Sequence, residues 1–193
     1  MTRLVCLMLA GVVALVGCSS PAHPASSAPA TNDNPAGSNA DFNASDVMFL
    51  QMMVPHLEQG RAIARLAGTR AGSADVRTLA AAIDATQADE ARTMSDWLRT
   101  WHQPATATAN AHADHGGMPS TTESEIAALG RITGAEFDRR FLNTMIARQD
   151  DAIQLARMES ATGSNPPATA LAGRIESSRA AQIKQMLGFL GQQ

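Results

Sequence analysis

Cysteine is almost missing from this 193-residue chain, since the two present, Cys6 and Cys18, both lie at its very start. A disulfide framework is thereby excluded for the rest, whose stability must come from packing. Lysine is rarer still, with Lys184 alone beside fourteen arginines, and the formal charge is −3. That usage, with abundant alanine, reflects GC-rich codons rather than a built basic surface, and nothing points to nucleic acid. No apolar run approaches the roughly 20 residues that a membrane-spanning helix needs. No segment alternates polar and apolar residues as a strand does. Catalytic signatures are lacking too: there is no Gly-rich phosphate loop, no convincing nucleophile and base, and no Glu-x-x-His motif of a di-iron ferritin centre. The chain is therefore expected not to be an enzyme.

What is present begins at the N-terminus. Arg3 precedes the apolar run Leu4 to Val16, the order of an export signal. The run ends in Leu15-Val16-Gly17-Cys18, a lipobox, in which small residues let a peptidase reach the bond and the thiol accepts a diacylglycerol. Residues 1–17 are thus expected to be a signal peptide, and Cys18 the lipidated terminus of a lipoprotein held at the extracytoplasmic face of the cell membrane. Loss of Arg3 takes the formal charge from −3 to −4. From Ser19 to Asp41 there is no large apolar residue, so residues 18–41 cannot offset the entropy of ordering and read as a disordered tether. The globular part is 42–193, ample for one hydrophobic core.

An internal repeat organises that part. At one fixed offset Asp46 pairs with Asp138, Phe49 with Phe141, Leu50 with Leu142, Met53 with Met145, Ile83 with Ile175 and Met94 with Met186. Two copies of a helical hairpin are implied, over about 45–101 and 134–193, joined by a linker at 102–133. Phe49, Met53, Leu57 and Ala64 recur at helical spacing, as do Phe141, Met145, Ile153 and Ala156. The spacing predicts helices over Ser45–Leu66, Ala74–Trp101, Gly134–Ala161 and Pro166–Leu190. Thr122-x-x-Glu125 and Thr133-x-x-Glu136 read as capping boxes, and Asn165-Pro166-Pro167 as a cap with first-turn prolines. Pro55 is expected to kink the first helix. The fold class is all-α, a four-helix bundle.

The second helix carries Leu79, Ile83, Gln87, Glu90, Met94, Trp97 and Trp101 along one core-facing seam. A carboxylate there is costly unless it is paired or binds a cation, so Glu90 needs a partner. On the first helix Met52 and His56 share a face, with Met53 on the adjoining stripe.

The run Asp46-Val47-Met48-Phe49-Leu50-Gln51-Met52-Met53-Val54-Pro55-His56, with Gln87-x-x-Glu90-x-x-x-Met94-x-x-Trp97-Leu98 and His115-Gly116-Gly117-Met118, resembles the secreted bacterial proteins called domain of unknown function 305. The resemblance spans nearly all of the globular part and implies a duplicated, ferritin-like fold. It also implies copper, because some members of that family look like extracytoplasmic copper binders, and each first helix there usually carries a His-His pair. This chain departs from that pattern, with His56-Leu57 in the first copy and Arg148-Gln149 in the second.

Thioether and neutral imidazole suit Cu(I). Met52, Met53, His56, Glu90 and Met94 form the candidate ligand set on the helices, and His112, His115 and Met118 a second set in the linker. The bland reading of the methionines is core filling, and of the linker a solvated polar segment. A further reading has Arg148 or Arg179 supplying the charge that a metal would give Glu90, so that the core holds an ion pair and no metal. The leading expectation is a lipid-anchored extracytoplasmic copper-binding protein, and the alternative a metal-free structural or protein-interaction module. Its partners would be the membrane, through the lipid, and a metal ion.

Overall fold

The computed structural model describes residues 41–107 and 121–192. Within them the chain runs as α1 (Ala44–Arg70), α2 (Ala74–Thr100), a short α3 (Glu123–Leu129), α4 (Gly134–Thr162) and α5 (Pro166–Leu190), an all-α architecture. None of these helices is long and apolar enough to cross a membrane. The signal segment, Cys18 and the tether up to residue 40 lie outside the described residues, as do His112, His115 and Met118.

Local chemistry sets the helix ends. Asn43 caps α1, accepting from Ser45 N at 2.8 Å and Asp46 N at 3.1 Å, while Asp46 returns a bond to Asn43 N. That box escaped the sequence reading because aspartate, not glutamate, stands at its third position. Thr122 and Glu125 form the expected box on α3, and Asn165 accepts from Ala168 N at 3.0 Å ahead of its two prolines. The box expected at Thr133 is not made, since Thr133 forms no side-chain cap and Glu136 reaches forward to Arg140 at 2.8 Å. Gly134, at φ 68°, turns the chain into α4 instead, a left-handed conformation that glycine tolerates. α1 continues through Pro55, an exposed residue, and gives up the one helix bond that an N–H there would have made to the Gln51 carbonyl.

α1 packs on α2 and α4 on α5, and the two hairpins meet chiefly through α1 against α4. The hairpins also hold each other's turns. Asp46 at the start of α1 accepts from Ser164 N and Asn165 N in the α4–α5 turn, at 3.1 and 3.0 Å. Asp138, its repeat counterpart on α4, accepts from Gly72 N and Ser73 N in the α1–α2 turn, at 3.0 and 2.8 Å. These charge-assisted bonds satisfy turn amides that no helix can use.

Trp97 and Trp101 are half-buried at one bundle end, where Phe42 stacks on Trp101 with ring centroids 4.4 Å apart. The core divides into two apolar clusters, one around Phe49, Leu50, Met53 and Met94, the other around Ile83, Phe137, Phe141 and Met145. Full burial of each such side chain contributes about 1.5–3 kcal/mol.

Candidate functional site

A polar waist at the level of His56 separates those two clusters. His56 and Gln87 come to it from the first hairpin, Arg148, Gln149 and Arg179 from the second, and all five are buried. Glu90 stands beside them with 11% of its side chain exposed.

His56 and Arg148 occupy the same position of the two repeats and face each other. The His56 Nε2 lies 3.0 Å from the Arg148 carbonyl, and Arg148 Nη2 donates to the His56 carbonyl at 2.5 Å. A carbonyl only accepts, so Nε2 carries the imidazole proton and the lone pair is left on Nδ1. Burial, with the positive charges of Arg148 and Arg179, pushes the imidazole down to about 3 despite the carbonyl bond. His56 is neutral at any physiological pH.

Arg148 spends its other donors on neutral groups. Its Nη1 donates to Gln59 Oε1 at 2.7 Å and to Thr121 Oγ1 at 3.2 Å. Gln59 in turn holds Thr121 by both backbone groups, at 2.7 and 3.1 Å, so that Arg148 and Gln59 together fasten the residue leading into α3. Burial lowers Arg148 to about 10, with Asp151 acting against the fall, and the guanidinium keeps its charge at neutral pH. Sequence reasoning missed Gln59 and Thr121 because nothing in their neighbourhood marks them.

Glu90 is met by Arg179, not Arg148. The Arg179 Nη2 donates to Glu90 Oε2 across the hairpins, and Arg179 is itself fully buried. Burial raises the Glu90 carboxyl above its ordinary value, while the Arg179 charge beside it pulls the other way. Arg148, offered from sequence as an alternative partner of Glu90, is committed instead to His56, Gln59 and Thr121. The Gln149 amide donates to Gln182 Oε1, which takes the place in the second repeat that Glu90 has in the first. Gln87 lies flat on Gly60, where an added Cβ would sit 2.6 Å from its Oε1.

The waist is under-satisfied. Gln87 Oε1, Gln149 Oε1, Arg148 Nε and Arg179 Nε are buried without a hydrogen-bond partner among the described residues. Each such group costs about 1–3 kcal/mol, so this layer exists at the expense of stability and is the part of the core that invites a functional explanation.

The soft donors fall on one side of the waist. Met53 and Met94 are fully buried in a single cluster with Phe49 and Leu57, and Met52 packs half-buried at its margin. Met52 and Met53 lie one turn of α1 from His56. Glu90, expected as a possible ligand, is engaged by Arg179. Among the described residues no three histidine, cysteine, aspartate or glutamate side chains are grouped as a metal site. Any site here would rest on thioethers and one imidazole.

Comparison with known proteins bears on that donor set. The family described as "Domain of unknown function (DUF305)" matches residues 46–190. A DUF305 protein from Streptomyces coelicolor, inferred to be secreted, is 25% identical, with a TM-score of 0.73 over 77% of this chain and 93% of that one. A DUF305 fragment from Deinococcus radiodurans is 28% identical, with a TM-score of 0.68 over 78% and 98%. CopM in its Cu(I)-bound form is 25% identical, with a TM-score of 0.63 over 76% and 96%, and CopM is also known in Cu(II)-bound and Ag-bound forms. No protein of curated function matches the chain.

Proposed function

The chain belongs to the domain of unknown function 305 family, and on that premise we propose that it is an extracytoplasmic, lipid-anchored protein that binds copper as Cu(I). The observation that carries this reading is the state of His56: neutral, with its Nε2 proton fixed on the Arg148 carbonyl, so that Nδ1 keeps a lone pair one turn from Met52 and Met53. A carbonyl that fixes the tautomer of a ligating histidine is the usual outer-shell support of a metal site. Met94, in the same cluster as Met53, completes a set of thioethers and one imidazole. Such uncharged soft donors suit Cu(I). A divalent ion fits less well, because Arg148 and Arg179 already place positive charge on His56 and Glu90, the carboxylate of the waist, is engaged by Arg179. Copper- and silver-bound CopM supports the choice of a soft ion. His112, His115 and Met118 are proposed as auxiliary donors. The role is binding for homeostasis or sequestration, not catalysis.

Anchoring rests on Cys18 and the signal before it, and the secreted class of the Streptomyces relative supports export. The first test is a Cu(I) titration of the chain from Ser19 onward against a competing chelator. One equivalent bound, and lost in His56→Ala and in Met94→Leu, is expected. Binding that survives both substitutions would place the metal elsewhere.

The Arg179–Glu90 bond favours a second reading, in which the core carries an ion pair in place of a metal and the protein is a structural or protein-interaction module. Cu(I) binding no stronger than that of a histidine-free variant selects it.

A further inference from the structure

At the bundle end where α4 turns into α5, two buried carboxyl groups meet. The Asp46 carboxylate, fully buried, accepts from the backbone N–H of Asn43 at 2.6 Å, Ser164 at 3.1 Å and Asn165 at 3.0 Å, and from the Ser164 hydroxyl at 3.1 Å. Glu159 is 1% exposed, and neither of its oxygens has a donor among the described residues. The group that acts on it is the neighbouring Asp46 carboxylate. Two ionised carboxylates cannot occupy such a place, because like charges in contact and out of water raise one of the two acids strongly. Asp46 has the N–H groups and stays ionised. Glu159 therefore keeps its proton, and its O–H donates to Asp46.

We infer that Asp46 and Glu159 share one proton in a clasp that holds the α4–α5 turn on α1, and that loss of this proton releases the turn. Deprotonation sets a second negative charge against the first, and Glu159 can reach water only if the turn lifts. The turn is packed directly on it, since a Cβ at Gly163 would run into the Glu159 carboxyl. Among the described residues no cation acts on Glu159. Asp46 is the charged group acting on Glu159 from α1, and α5 carries no titratable side chain from Pro166 to Gly173. At this end of α2, Asp96 and Arg99 are paired with each other at 3.0 Å, and Arg157 of α4 is paired with Glu176 at 2.7 Å. Burial, then Asp46, raises Glu159 to about 8. Asp46 is held below its ordinary value, its burial outweighed by the donors around it.

The repeat contains its own control. Asp138 holds Gly72 N and Ser73 N in the α1–α2 turn as Asp46 holds Ser164 N and Asn165 N, but the residue matching Glu159 is Ala67. One turn has a titrating neighbour and the other has none.

Amide hydrogen exchange of the mature chain between pH 6 and 9, corrected for the intrinsic rate, tests the clasp. Opening constants at Ser164 and Asn165 are expected to rise about tenfold per pH unit up to about pH 8 and then level, as for any opening that releases one proton. Those at Gly72 and Ser73 should stay flat. Glu159→Gln keeps a donor to Asp46, and Glu159→Ala copies Ala67; both should abolish the slope at Ser164 and Asn165. A flat response at these two amides overturns the inference, as does an equal slope in both turns or a slope that survives either substitution.

Discussion

His56 and Arg148, equivalent residues of the two repeats, each place a side-chain hydrogen bond on the other's backbone carbonyl, at 3.0 and 2.5 Å. The exchange ties α1 to α4 at the centre of the bundle, where the hairpins meet. It also leaves the two side chains in opposite electrical states, one a neutral imidazole and the other a buried cation, and their replacements should differ accordingly.

Truncating Arg148 to Ala removes its bonds to the His56 carbonyl, Gln59 and the hydroxyl of Thr121 together. A loss of about 2–4 kcal/mol is expected from the lost hydrogen bonds and the cavity. Urea unfolding measures it, and hydrogen exchange across α3 should rise in the same variant, since Arg148 and Gln59 hold Thr121 ahead of that helix. Unchanged protection of α3 would mean that Thr121 is anchored by other means.

The imidazole predicts an acid-labile fold. With a folded value of about 3 against an ordinary 6.5, the unfolded chain binds more protons between those two values. Stability supplied by keeping His56 neutral is complete above 6.5 and is lost as the pH falls toward 3, by roughly 1.4 kcal/mol per pH unit. From pH 7 to pH 5 the wild type should lose about 2 kcal/mol more than His56→Gln does. Equal losses would show that His56 takes up its proton without cost.

Removing one partner of the waist ion pair leaves the other charge buried. Glu90→Gln should cost roughly 3 kcal/mol in metal-free buffer, because Arg179 has no other carboxylate partner among the described residues. Replacing both, as Glu90→Leu with Arg179→Met, should recover most of that loss. A double-mutant cycle by chemical denaturation reads both, and additivity of the two single changes would remove the pair as a coupled unit.

Gly60 offers a sign reversal. Alone, Gly60→Ala forces the Gln87 amide aside, since the new Cβ would stand 2.6 Å from its Oε1, and a loss of about 1–2 kcal/mol is expected. In a Gln87→Ala background the same change meets no obstacle and should stabilise α1 by up to about 1 kcal/mol, the helix preference of alanine over glycine. Thermal unfolding of the four variants separates the two contributions.

The helices were legible because their signals are local. The predicted starts at Ala74, Gly134 and Pro166 match the observed ones, while α1 runs on past Leu66 to Arg70. The extension was hidden because its last turn, with Gly68, Thr69 and Arg70 exposed, carries no apolar stripe. The capping box at Asn43 was missed and the one at Thr133 expected in error, since either residue type is compatible with a cap and only backbone geometry selects. The buried seam of α2 was read correctly at Leu79, Ile83, Gln87 and Met94. Glu159 escaped notice: one more acidic residue in a helix full of charged residues gives no sign that it will be sealed beside Asp46.

Spacing of apolar residues and the unbroken repeat determined by themselves that this is a duplicated helical bundle, because helix periodicity and hairpin length are properties of neighbouring residues. They also determined that Glu90 would need a partner, because a carboxylate on an apolar seam is costly wherever the other helices lie. Only the tertiary structure decided that the partner is Arg179 and that Arg148 turns to the carbonyl of His56. Both arginines sit at plausible repeat positions, and which carboxylate or carbonyl each can reach depends on how α1 and α4 pack across the hairpins, a distance that no single helix encodes.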